Sequence, residues 1–202
     1  QKLPVAIYLH GCSGFWAGTD RRAKLLVELG FIVIAPNSFA RTRKPTSCIP
    51  HRLLGGLDRG TLSLRQAEAT NAIRNAKKLS WVDEKNIIIV GFSEGGITAA
   101  TLSQDSYDSI RAVIIEGWGC HSSWEEYRGL NTPPNTPVLS LVAAQDPWFQ
   151  HPDLNGHCGS FFTNAKSKSI LYKNTPLLYE HSLLDFARPR DDIVKFLKTI
   201  LN

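Results

Sequence analysis

Residues 86–96, NIIIVGFSEGG, constrain this chain more than any other segment. Four apolar residues, Ile87 to Val90, run directly into Gly91-Phe92-Ser93-Glu94-Gly95-Gly96. The spacing predicts a strand, a tight turn at Ser93, and then a helix. So sharp a turn needs small neighbours, and glycine has no Cβ to clash. Such a turn lifts the Ser93 hydroxyl clear of the sheet, where a base and a substrate can both reach it. The G-x-S-x-G pattern is short enough to recur by chance, so the rest of the chain decides its meaning.

That setting is an alternation of short apolar runs and helical patterns. Residues 5–9, 31–35, 87–90, 112–115, 138–143 and 169–172 read as strands. They are continuously apolar, as a sheet buried on both faces requires. Helices are expected over 21–29, capped by Gly30, and over about 94–103. Another carries Leu62, Ala69, Ile73, Ala76 and Leu79 at helical spacing, with Arg65, Glu68, Arg74, Lys77 and Lys78 facing elsewhere. Ile193, Val194, Phe196, Leu197, Ile200 and Leu201 form the apolar face of a terminal helix. Residues 37–60 hold Pro45, Pro50 and Gly55-Gly56, and read as functional loop or short irregular helix. The pattern predicts an α/β fold: a doubly wound, mostly parallel sheet, compact and without a large cap domain. The 202 residues are expected to form one domain, 1–202, without internal repeats. Ligands of such sheets bind at the carboxyl ends of the strands.

Net charge is +5, but the basic residues are scattered apart from Arg41, Arg43, Lys44, Arg52 and Arg59. No aromatic residues interleave with them to stack bases, so nucleic acid is not expected as a partner. The charge reads as solvated surface, or else as attraction for an anionic substrate. No apolar run approaches the roughly 20 residues that span a bilayer. The chain begins at Gln1 and contains no Met, so it reads as a mature or trimmed form. Cys12, Cys48, Cys120 and Cys158 allow three complete pairings, and no C-x-x-C spacing exists. All four fall in loops after expected strands. Their even number and placement favour two disulfides and an oxidising compartment, whereas four free thiols would fit the cytoplasm.

A serine near neutral pH needs a histidine to take its proton and a carboxylate to orient that histidine. Asp146 follows the expected strand 138–143, with Asp153 in reserve. His181 follows the last expected strand and precedes the terminal helix; His151 and His157 come too early in the chain. Two amides are needed for an oxyanion hole. One is the N–H of Glu94. The other is the N–H of Cys12, in the loop His10-Gly11-Cys12-Ser13-Gly14 after the first expected strand. His10, Trp118, His121, Trp148, Arg41 and Arg43 are candidates for the substrate pocket. Trp16, Trp124 and Phe149 also lie in loops near the expected site.

These residues together resemble the dienelactone hydrolase-like branch of the α/β-hydrolases, over nearly the whole chain. The resemblance rests on YLHGCSGFWAG, GFIVIAPNSFARTR, WVDEKNIIIVGFSEGG, AAQDPWF and YEH. It is strongest to secreted or periplasmic members with HGC in the first loop and PxSF…R…C in the second. It implies the α/β-hydrolase fold, the triad Ser93, Asp146 and His181, and cleavage of small-molecule carboxylic esters through an acyl-enzyme. No cofactor and no metal are implied. A thioesterase, a lactone hydrolase or a non-catalytic binding protein on the same fold are the alternatives. The family's own nucleophile is cysteine, where this chain has Ser93, and its first-loop glutamate is replaced around His10-Gly11. The lactone substrate is therefore not carried over. The family's usual strands ahead of the His10-Gly11 strand are also missing, so a shortened sheet is expected. In this setting Cys12 pairs with Cys48, on loops after neighbouring strands, and Cys120 with Cys158. The oligomeric state is left open.

Overall fold

A computed structural model describes residues 2–201; Gln1 and Asn202, the ends of the expected domain, lie outside the described residues. Six strands alternate with four helices. They are β1 (Leu3–Leu9), α1 (Ala17–Glu28), β2 (Ile32–Ile34), α2 (Gly60–Lys77), β3 (Val82–Phe92), α3 (Glu94–Ala100), β4 (Ile110–Glu116), β5 (Val138–Ala143), β6 (Lys168–Tyr172) and α4 (Ala187–Leu201). The strands form one parallel sheet in the order β2-β1-β3-β4-β5-β6.

The continuous apolar runs arise because successive side chains serve two separate cores. Val5, Ile7, Leu9, Ile87, Ile89, Val113 and Ile115 pack under α2 and α3. Ala6, Tyr8, Ile88, Val90, Ala112 and Ile114 pack under α1 and α4. Each large side chain so buried contributes about 1.5–3 kcal/mol relative to exposure. Helices on both faces keep the strand interiors apolar but for small groups such as the buried Ser140 of β5.

Several boundaries differ from expectation, and α1 starts at Ala17 rather than residue 21. Strand β3 starts at Val82, not residue 87, because Leu3 pairs with Val82 ahead of a register shift. Its residues Asp83 to Lys85, which span that shift, are polar and leave no hydropathy signal. Helix α3 stops at Ala100, short of residue 103. The 37–60 segment is loop with 3-10 turns at Ser38–Ala40 and Pro50–Arg52.

Strands β1 and β3 are neighbours, yet α1 and α3, which follow them, pack on opposite faces. The chain diverges there and opens a crevice at the carboxyl ends, where this architecture binds ligands. The His10 loop and the Ser93 turn are its two lips. Both cysteine pairs are bridged, Cys12 to Cys48 and Cys120 to Cys158. No helix among the described residues is long and apolar enough to cross a membrane.

A buried ion pair ties the sheet to α1. Arg22, fully buried, donates to Glu116 at the end of β4 through Nε (2.7 Å) and Nη2 (2.5 Å). Its Nη1 donates to the Gly18 carbonyl and to Asp185. Removing one partner strands a buried charge, so Arg22→Met should lower unfolding free energy by about 3–5 kcal/mol. Arg22→Met/Glu116→Gln should lose less than the two single changes summed, as measured by urea unfolding.

Candidate active site

Ser93 sits between β3 and α3 with φ 55° and ψ −120°. A non-glycine residue holds such a conformation only where its surroundings overdetermine it. The flanking glycines do so here. A Cβ on Gly91 would lie 2.1 Å from the Gly95 carbonyl oxygen, and one on Gly95 would lie 2.0 Å from that of Leu9. Helix α3 can therefore leave β3 steeply and brush β1. The Ser93 amide donates to the Glu116 carbonyl at 2.8 Å, which pins the turn to β4.

Asp146 and His181 come together as the sequence predicted. His181 Nδ1 lies 2.7 Å from Asp146 Oδ2. Asp146 is only 2% exposed, and its Oδ1 accepts the Trp148 amide at 3.0 Å. The bond to the carboxylate makes Nδ1 the protonated nitrogen and leaves Nε2 as a lone-pair base. Aromatic rings hold the imidazole: Trp148 stacks on it (centroids 5.4 Å apart), and Phe92 and Phe149 flank it at 5.1 and 5.6 Å. Gly117, at φ +65°, leaves room for it, since a Cβ there would lie 3.1 Å from His181 Cε1. The buried Nε2 has no hydrogen-bond partner among the described residues, Ser93 included. Such contacts commonly tighten only when substrate binds.

On the other lip, a Cβ on Gly11 would fall 3.4 Å from Ser93 Cβ, so this loop runs directly beside the nucleophile turn. Cys12 and Glu94 line the same cavity as Ser93. The Glu94 amide opens α3, where helix geometry provides no acceptor. The Cys12 amide takes part in no loop or turn hydrogen bond. Cys12, Ser93 and Glu94 thus share one cavity wall, and neither amide has a loop or turn acceptor among the described residues.

The cavity has a volume of about 180 Å³. Trp118, Trp124, Tyr127, Trp148, Phe149 and Leu154 supply its apolar wall. His151 and Asp153, the rival base and reserve acid, stand at its edge, exposed and 3.7 Å apart. A larger polar depression of about 1460 Å³ lies at the opposite ends of the strands, around Asp83, Ile110 and Pro137. It holds none of the candidate residues.

Four expected pocket residues lie outside this wall. His121 packs on Phe161 with centroids 5.2 Å apart. Arg41 is paired to Glu68, with Nη2 at 2.6 Å, and Arg43 is solvent-exposed. Trp16 also lies elsewhere, tilted against Phe92. His10 is fully buried: its Nδ1 donates to the Gly11 carbonyl at 2.7 Å and its Nε2 accepts the Ser38 amide at 3.2 Å. Strand-end position alone cannot tell a residue facing the crevice from one bracing the loop behind it. Two buried residues also went unread, Arg22 and Arg65. Arg65 was expected to face away from the core, yet it is 4% exposed. Its place three residues after Leu62 and four before Ala69 puts it on the apolar stripe, which is the signal that finds it.

A parallel sheet with helices on both faces and a serine elbow at its switch point defines an α/β-hydrolase. Within that class, the chain belongs to the dienelactone hydrolase family, which it matches over residues 1–175. It is a hydrolase. His181 falls beyond the matched segment. A candidate dienelactone hydrolase from Klebsiella pneumoniae subsp. pneumoniae has the same fold, with TM-score 0.67 and 17% identity over 97% of this chain and 87% of that one. Est1E from Butyrivibrio proteoclasticus, with ferulic acid bound, gives 0.66 and 16% over 99% and 90%. A structure from work on the metagenome-derived lipolytic enzymes LipS and LipT gives 0.63 and 13% over 98% and 94%. No curated protein matches.

Burial and the nearby Arg65 guanidinium hold the His10 pKa down to about 4, from 6.5. Protonation would also turn its Nε2 against the Ser38 amide it accepts from. The unfolded chain takes up this proton below about pH 6.5 and the folded chain only near pH 4. The stability tied to neutral His10 is therefore full above pH 6.5 and is lost as pH falls through that window, to a limit of about 3 kcal/mol. Urea midpoints measured from pH 8 to 4 should show this slope, and His10→Gln should remove that part of it.

Proposed function

We propose that the protein is a serine hydrolase that cleaves carboxylic esters through an acyl-enzyme. The observation that carries this reading is the 2.7 Å Asp146–His181 pair, whose imidazole touches Phe92 next to the strained Ser93 turn, while Ser93 itself lines one apolar cavity. Ser93 Oγ attacks the ester carbonyl while His181 Nε2 takes its proton. Asp146 keeps Nδ1 protonated and stabilises the imidazolium that forms. The amides of Cys12 and Glu94 hold the developing oxyanion. Collapse expels the alcohol, which receives the proton from His181. Water then attacks the acyl-Ser93 by the same route in reverse and releases the acid. Thioesters and lactones present the same carbonyl to the same groups, so both belong in a substrate panel.

At about 180 Å³ the cavity lies below the roughly 300 Å³ where drug-sized sites begin. Its size and aromatic wall favour a compact apolar or single-ring acyl group. The ferulic acid bound to Est1E supports including a hydroxycinnamate methyl ester in the panel. Two disulfides favour an oxidising compartment, periplasmic or extracellular. Denatured, unreduced protein should titrate no free thiols.

Ser93→Ala should lower kcat for p-nitrophenyl butyrate by at least about 10⁴-fold, as loss of a triad nucleophile does. A fluorophosphonate probe should label the parent at Ser93 and leave the variant unlabelled. A folded parent that neither turns over any ester in the panel nor takes the label would favour a binding protein on this fold.

A further inference from the structure

We propose that Arg65 is a positioning residue that clamps together the two backbone segments bearing the oxyanion donors and offsets the carboxylate placed beside them. The inference rests on the serine-hydrolase reading above. Arg65 lies on α2 at a position where Leu or Ala would satisfy packing, between Leu62 and Ala69 on the buried face. An arginine kept almost wholly out of water there needs fixed partners. It has one on each lip of the crevice. Its Nη2 donates to the His10 carbonyl, two residues before Cys12. Its Nη1 lies 3.3 Å from Glu94 Oε1, on the residue that follows Ser93, as an ion pair without hydrogen-bond geometry.

The other Glu94 oxygen, Oε2, accepts the Ser47 hydroxyl. Ser47 precedes Cys48, and Cys48 is bonded to Cys12. The connections close a circuit: from Cys12 through the disulfide to Cys48 and Ser47, across Glu94 to Arg65, and back through His10 and Gly11 to Cys12. Both proposed donor amides belong to residues on this circuit. Donors help a developing oxyanion when they are held in place before it forms. The circuit does the holding, and Arg65 is its only link that reaches both lips in one side chain.

Arg65 also answers an electrostatic problem. Glu94 lines the cavity, is 8% exposed, and carries its carboxylate on the residue that donates an oxyanion amide. An uncompensated negative charge there would oppose the charge that develops on the substrate oxygen. The guanidinium cancels it without occupying the cavity, since Arg65 is absent from its wall.

The test measures kcat and KM for p-nitrophenyl butyrate in Arg65→Met, Arg65→Lys and Arg65→Met/Glu94→Gln, with folding checked by circular dichroism. Arg65→Met should lower kcat by about 100-fold, the scale of one lost oxyanion donor, with KM changed less than about threefold. The double variant should recover at least about tenfold in kcat over Arg65→Met, because it no longer holds an unopposed carboxylate near the oxyanion. Arg65→Lys keeps the charge but cannot bridge two partners with a fixed fork, and should fall between parent and Arg65→Met. A purely structural role predicts no rescue by Glu94→Gln and joint changes in kcat and KM. If folded Arg65→Met keeps kcat within threefold of the parent, or the double variant is no faster than it, the clamp is wrong. If Arg65→Met does not fold, parent-like kcat in Arg65→Lys overturns the proposal. Labelling and turnover of Ser93→Ala decide the serine-hydrolase reading separately.

Discussion

Glu116 is the residue on which the two sides of the crevice converge. Its backbone carbonyl receives the Ser93 amide, and its carboxylate receives Arg22 from α1 and the Leu184 amide at 2.8 Å. Leu184 lies three residues after His181, so one residue links the Ser93 turn to the segment that carries His181. The Arg22 guanidinium also sits 4.5 Å over the Phe92 ring, and that ring touches the imidazole. A buried charge pair adds little net stability over apolar packing of the same volume. What it supplies here is register. Were β4 to slip by one residue against β3, Glu116 would leave Arg22 and Leu184 together, with two charges and an amide unpaired in the interior.

Most of the sheet was legible in the sequence because burial on both faces writes itself as unbroken apolar runs. Strands β1, β4, β5 and β6 were placed within a few residues of their observed bounds. The start of β3 was not legible, because Val82 pairs with Leu3 ahead of a register shift, and the polar Asp83 to Lys85 that span the shift give no apolar run. Asp146 and His181 could be read because chain order and strand ends constrain them. His10 could not, because its loop turns the ring inward to the Gly11 carbonyl and the Ser38 amide. Arg22 and Arg65 were missed for the opposite reason. Charge argued for the surface while helical position argued for the core, and position prevailed because each guanidinium had a buried carboxylate to meet.

The two lips of the crevice and the His181 side chain are held by different means, and the difference follows from what each would do in the proposed reaction. The His10 loop and the Glu94 turn present backbone amides, which carry no side-chain freedom of their own. They are fixed by a disulfide, a guanidinium that donates to the His10 carbonyl and pairs ionically with Glu94, and a hydroxyl. His181, in the proposed reaction, is a side chain that must change protonation. It is held by one hydrogen bond, to Asp146, and otherwise by the faces and edges of Trp148, Phe92 and Phe149. Aromatic contacts constrain the plane of the ring while placing no competing donor or acceptor at Nε2.

This leaves the Ser93 side chain as the least restrained member of the candidate triad. Its backbone is locked by Gly91, Gly95 and the bond to Glu116, whereas its hydroxyl makes no hydrogen bond to His181 Nε2. Turning one χ1 angle is a far smaller step than reorganising a loop, since side-chain rotamers exchange on the ps–ns scale where free to do so. In the proposed reaction the groups around Ser93 would then stay in place, and the remaining motion would fall to its hydroxyl.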